Sequence, residues 1–175
     1  YTLTSVSNAV DGAAFAELDA PREIALFTKG SSTYVIAVAT EDDGFEIIDI
    51  SNPSSPSSVG TCADGSTCSA TNLNGVTNVV VTTIGGTTYA VTISYGDSAI
   101  SIFDISNPSS PTQEDVIENS GGRILYRSYG LAVAEFGGKT YAVVVSQAHN
   151  SLALVDISDP TSLVYKDHIL NSDGD

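Results

Sequence analysis

The residues best equipped for chemistry stand in four small groups. Glu41, Asp42 and Asp43 place three carboxylates in one run, and clustered hard oxygen donors suit calcium. The alternating Asp-x-Asp-x-Asp-Gly spacing of a dedicated calcium loop is missing there, so a solvated acidic loop is the simpler reading. Cys62 and Cys68 flank a segment rich in Gly, Ser, Thr and Asp with no nearby His, which leaves a four-ligand zinc site short of donors. The pair reads as a local disulfide closing a surface loop, which implies an oxidising compartment; two free loop thiols in a cytosolic protein are the alternative. Arg123, Tyr126, Arg127 and Tyr129 form the one basic–aromatic cluster, suited to contact with carbohydrate or protein, or to packing of their own long loop. His149 beside Asn150 reads as an exposed loop histidine, and His168 as a solvent-facing residue of an outer strand. No nucleophile motif, phosphate-binding glycine loop or zinc-protease helix is present, so no catalytic residue and no cofactor is assigned, calcium being the one candidate metal.

Composition bounds what these groups can serve. The 175 residues are 42% hydrophobic and 15% charged, enough for a buried core and wrong for a disordered chain or coiled coil. Acidic residues number 21 against 6 basic ones, a formal net charge of −15. Such a field repels nucleic acid and anionic membrane surfaces. Apolar runs stop well short of a membrane-spanning helix. The chain opens on Tyr1 rather than Met, as a processed or truncated product would. Abundant Ser, Thr and Gly with few Lys suggests a secreted or cell-surface protein, although no Asn-x-Ser/Thr acceptor with x other than Pro occurs.

The elements that position these groups are written three times. Residues 49–56 and 104–111 both read Asp-Ile-Ser-Asn-Pro-Ser-Ser-Pro, and residues 156–163 read Asp-Ile-Ser-Asp-Pro-Thr-Ser-Leu. A Thr-Tyr strand precedes each, at Tyr34, Tyr89 and Tyr141, and both anchors advance by steps of 55 and 52 residues. Two anchors sharing one period mark a structural repeat. Thr33 to Thr40 is apolar on both faces, as a strand buried on both sides must be. Each unit shows three such short inner strands, a polar outer fourth and Gly turns, with no helical period of comparable strength. Four strands in a unit of roughly 50 residues describe one blade of a β-propeller. The fold class is therefore all-β, with three four-stranded antiparallel blades. Approximate units are 7–61, 62–117 and 118–169 within a single domain 1–175, and residues 1–6 read as an outer strand of a preceding blade.

The stretches Glu46 to Pro53, Ser101 to Pro108 and Leu152 to Pro160 carry a resemblance. A hydrophobic strand ending in Asp-Ile-Ser-Asn/Asp-Pro resembles the LVIVD-repeat family of bacterial and archaeal β-propellers. That resemblance implies a propeller within exported or surface-attached proteins, and it implies no defined reaction.

Three units fall short of the four to eight blades of typical propellers. The segment Tyr1 to Gly12 resembles Tyr165 to Gly174, so the chain begins and ends at one phase of the repeat. It is expected to be a piece of a longer propeller or to assemble from several copies. An antiparallel meander sends the near-identical turns to one face and the differing loops to the other. Recognition concentrates on such variable loops. The functional expectation is a non-enzymatic extracellular scaffold binding protein or glycan, or self-associating at the cell surface, without nucleic acid or membrane insertion. Alternatives are the protomer of an extracellular filament and, by fold analogy alone, a fragment of a lactonase-like hydrolase.

Overall fold

The computed structural model describes residues 7–65 and 68–170. The outer strand expected over residues 1–6 lies outside them. Among the described residues there are twelve strands and no helix.

The first unit holds β1 (Pro21–Lys29), β2 (Ser32–Ala39), β3 (Gly44–Asp49) and β4 (Ser57–Ala63). The second holds β5 (Val76–Ile84), β6 (Thr87–Ser94), β7 (Ala99–Asp104) and β8 (Thr112–Glu118). The third holds β9 (Ser128–Phe136), β10 (Lys139–Ser146), β11 (Ser151–Asp156) and β12 (Val164–Leu170). Each set forms its own antiparallel meander in chain order. The first strands of successive sheets, β1, β5 and β9, are neighbours, so they stand nearest the common axis and β4, β8 and β12 lie outermost.

Local chemistry explains the repetition. Val, Ile, Tyr and Thr dominate the inner strands and pack well on a pleated surface. The β5–β6 and β9–β10 hairpins turn on Gly85–Gly86 and Gly137–Gly138, each with positive φ, the backbone that matches strand twist in a two-residue turn. After each third strand the repeated aspartate caps the bend. Asp49, Asp104 and Asp156 accept the backbone N–H of Ser51, Ser106 and Ser158 at 2.8, 2.7 and 3.1 Å. The serine then closes back on the sheet: Ser51 and Ser158 accept the N–H of Thr33 and Thr140, both at 3.0 Å. A register shift follows at the same place in each blade, between Ile47/Ile48, Ile102/Phe103 and Leu154/Val155.

The core lies between blades rather than within any one of them. Ile36, Val38, Phe45 and Ile47 of the first sheet pack against Val79, Ala90, Phe103 and Ile105 of the second. Phe45 and Phe103 meet edge to face across that seam, ring centres 5.1 Å apart. Val91, Ile93, Ile100 and Ile102 of the second sheet pack in the same way against Ala142, Val144, Ala153 and Val155 of the third. Each sheet thus has a leading face that meets the blade after it and a trailing face that meets the blade before. The trailing face of the first sheet, through Ala37 and Ile48, is covered by Phe15 and Leu18.

Candidate functional site

The differing loops gather on one face, as the meander requires, around the starts of β1, β5 and β9. There Arg22, Glu23, Thr40, Thr77, Asn78, Tyr95 and Tyr129 line an open depression of about 500 Å³. Tyr95 and Tyr129 meet at its rim, ring centres 5.1 Å apart. The Arg127 guanidinium lies 5.2 Å from the ring centres of both Tyr95 and Tyr126, a cation held between two aromatic faces. Tyr126 and Tyr129 remain 42% and 49% exposed, so this cluster faces solvent rather than filling a core. Desolvation, with a hydrogen bond to Tyr95, holds the Tyr129 hydroxyl above its ordinary value.

Backbone geometry sets the cluster in place. Arg127 has a φ of 52°, and its N–H donates to Ser98 Oγ at 3.3 Å. Ser146 Oγ donates to the Tyr126 carbonyl, fixing the loop to β10. The structure therefore brings together three of the four residues singled out in the sequence, Tyr126, Arg127 and Tyr129. Arg123 points elsewhere and donates to Ser120 Oγ and the Glu118 carbonyl at 3.3 and 3.4 Å. Tyr95, Arg22 and Asn78 were missed because they come from other repeats. The available signal was Tyr95 itself, a large aromatic in a loop whose counterparts are Thr40 and Gln147.

The three acidic residues diverge. Asp42 Oδ2 accepts the Asp19 N–H at 2.6 Å, whereas Asp43 Oδ1 accepts the Gly75 N–H at 2.7 Å. Asp97 and Asp64 accept the adjoining N–H groups of Asn74 and Leu73 at 2.9 and 3.4 Å. These carboxylates are occupied in binding loop backbone, and Asp43 does so from one blade to the next. Burial, together with Asp64, Asp43 and Glu118, raises the Asp97 carboxyl above its ordinary value. Among the described residues, no group of three or more His, Cys, Asp or Glu side chains is arranged to hold a metal ion.

Cys62 and Cys68 are joined, with Cα atoms 5.1 Å apart. The location differs from a surface loop: β4 extends through Ala63, and Cys62 is wholly buried in the seam between the first two blades. The histidines differ too. His149 is half-buried, its ring 5.7 Å from Tyr126. His168 is also half-buried and lines a shallow apolar groove with Leu152, Leu154 and Ile169. On the opposite face Lys139 Nζ bonds Asp156 Oδ2 at 2.5 Å, and this contact foremost lowers the carboxyl to about 2.

Blades stacked about an axis, with a variable loop face at one end, define a β-propeller repeat protein, and the comparisons with known proteins agree. A protein from Lactobacillus plantarum shares the fold at a TM-score of 0.64 and 12% identity, covering 89% of this chain and 44% of that one. An exo-β-1,3-galactanase from Phanerochaete chrysosporium, solved with β-1,3-galactotriose, gives 0.58 and 12%, covering 94% and 42%. A β-fructofuranosidase from Bombyx mori gives 0.54 and 13%, covering 95% and 40%. This chain thus spans less than half the length of each, and at these identities the likeness is one of fold alone. No curated protein matches the sequence. The model of the LVIVD repeat matches residues 33–64, 91–115 and 137–170, more than half of the chain. The chain belongs to the LVIVD repeat family.

Proposed function

We propose that this protein is a non-enzymatic extracellular β-propeller scaffold that binds a glycan on its variable face. The observation that carries the reading is the exposed tyrosine–arginine cluster, Arg127 between Tyr95 and Tyr126, at the rim of the depression. Flat aromatic faces stack on the apolar side of a sugar ring, while the Asn78 amide offers a neutral donor and acceptor to its hydroxyls. The net charge of −15 favours neutral or cationic chains over anionic ones.

Glu23 is the one carboxylate lining the depression, whereas glycoside cleavage ordinarily uses a facing pair. That supports binding without turnover, and the reading takes nothing from the activities of the galactanase or fructofuranosidase. The buried disulfide and the family support an extracellular location.

The test is an array of neutral oligosaccharides probed with the wild type and with Tyr95→Ala combined with Tyr129→Ala. Retention of one glycan class, weakened at least about tenfold in the variant at unchanged thermal stability, is expected; tenfold is about 1.4 kcal/mol. No retained glycan, or retention indifferent to both tyrosines, would overturn the reading.

A further inference from the structure

We propose that a β-bulge repeated in all three blades makes the depression a reader of sugar charge, selecting a neutral sugar unit with adjacent free hydroxyls over amino sugars and uronic acids. The proposal rests on the glycan reading of the same depression and names the ligand class within it.

Each blade pairs its first strand with its second in regular register except at one point. Pro21 faces Ala39 and Glu23 faces Val38, which leaves Arg22 as the extra residue. Val76 faces Ser94 and Asn78 faces Ile93, which leaves Thr77. Ser128 faces Ser146 and Gly130 faces Val145, which leaves Tyr129. These three are one repeat position, separated by the same steps of 55 and 52 residues. All three line the depression.

A regular strand sends successive side chains to opposite faces. Yet Arg22 and Glu23 both line the depression, and so do Thr77 and Asn78. A bulge re-aims a side chain in this way, and bulges are common beside functional sites. The third blade fills the same place with one large group. Tyr129 lines the depression, and the residue after it is Gly130, where a Cβ would come within 2.5 Å of Val145 Cγ2.

The re-aimed residues differ in chemistry from blade to blade. Arg22 Nε donates to Thr40 Oγ1 at 3.1 Å, which holds the guanidinium by its inner nitrogen. Glu23 Oε1 accepts the N–H of Ile24 at 3.3 Å. Among the described residues neither enters an ion pair, both such pairs being centred on Asp156. The Thr77 hydroxyl donates to the Ile93 carbonyl at 3.5 Å, so polar contact from the second blade falls to the Asn78 amide.

The first blade thus offers a cation and an anion on successive residues. Together they present donors and an acceptor to two neighbouring hydroxyls, and their charges cancel. An ammonium on the sugar meets Arg22 in the depression and Arg127 at its rim. A sugar carboxylate meets Glu23 and the net charge of −15. Unpaired charges of both signs reject the wrong ligands without adding a contact to the right one.

The experiment adds to the oligosaccharide array the amino-sugar and uronic-acid forms of each neutral glycan, and compares the wild type with Glu23→Gln, Arg22→Gln and Asn78→Asp. Arg22 and Glu23 are exposed, and an unchanged melting temperature confirms that each variant folds. The wild type is expected to favour the neutral form over either charged form by at least about tenfold. Glu23→Gln should narrow the gap to the uronic-acid form, and Arg22→Gln the gap to the amino form. Asn78→Asp, which adds a carboxylate without changing shape, should move preference towards the amino form. A wild type that holds a glycan through Tyr95 and Tyr129 but prefers a charged form, or keeps one ratio of forms across all three variants, would overturn the charge reader and leave the glycan reading standing. A wild type that retains no glycan in any form overturns the glycan reading and this proposal with it.

Discussion

Asp43 Oδ1 accepts the backbone N–H of Gly75 at 2.7 Å, and through that bond the hairpin of one blade holds the first residue before the next. The second seam repeats it with Ser98 and Arg127 at 3.3 Å. Sheets that bury apolar faces against each other need something directional to fix their angular offset, and these two bonds do so at the same point of each repeat.

Removing the acceptor therefore loosens the seam. Asp43→Ala is expected to cost about 1–3 kcal/mol, the range for a partly buried charged hydrogen bond whose partner is left unpaired. Asp43→Asn keeps an acceptor and a residue tolerant of the left-handed backbone, and should cost less than half as much. Urea unfolding of the two variants checks this. Equal losses would mean that the acceptor retained in Asp43→Asn contributes nothing to the seam.

The Lys139–Asp156 pair predicts a pH dependence. Lys139 foremost, with the Ser158 hydroxyl and N–H, lowers the Asp156 carboxyl from 3.8 to about 2 in the folded chain. A depressed carboxyl contributes stability that is present above its unfolded value and lost as pH falls through the folded one. The wild type should thus be more stable than Lys139→Met at neutral pH, with the gap closing between pH 3.8 and about 2. Melting temperatures across that window decide it; a gap that stays constant would show that the lysine acts by packing alone.

The Cys62–Cys68 bond closes a short loop onto the first seam. Chain-entropy reasoning gives a loop of this size about 2 kcal/mol. Cys68→Ala should lower stability by that amount. A reductant should move the unfolding midpoint of the wild type and leave that of the variant in place.

Strand pattern and blade order were legible because the anchors are side chains with local work to do. Tyr34, Tyr89 and Tyr141 open the second strands, and Asp49, Asp104 and Asp156 bend the chain after the third. The candidate site was only half legible. Tyr126, Arg127 and Tyr129 are neighbours in sequence, but Tyr95 and Arg22 reach them across blades, and one repeat read alone holds no trace of that meeting. The bond across each seam was hidden for another reason. Its acceptor is Asp in one seam and Ser in the next, so equal geometry is written in unequal residues. Cys62 looked like loop because its polar neighbours mask the edge strand that carries it into the seam.

The most direct test of the central claim is to incubate the protein with the glycan it retains and follow that glycan by mass spectrometry. The account predicts intact glycan after prolonged incubation, with binding weakened when Tyr95 and Tyr129 are replaced by alanine. Cleaved product that disappears in Glu23→Gln would contradict it and make the depression an active site.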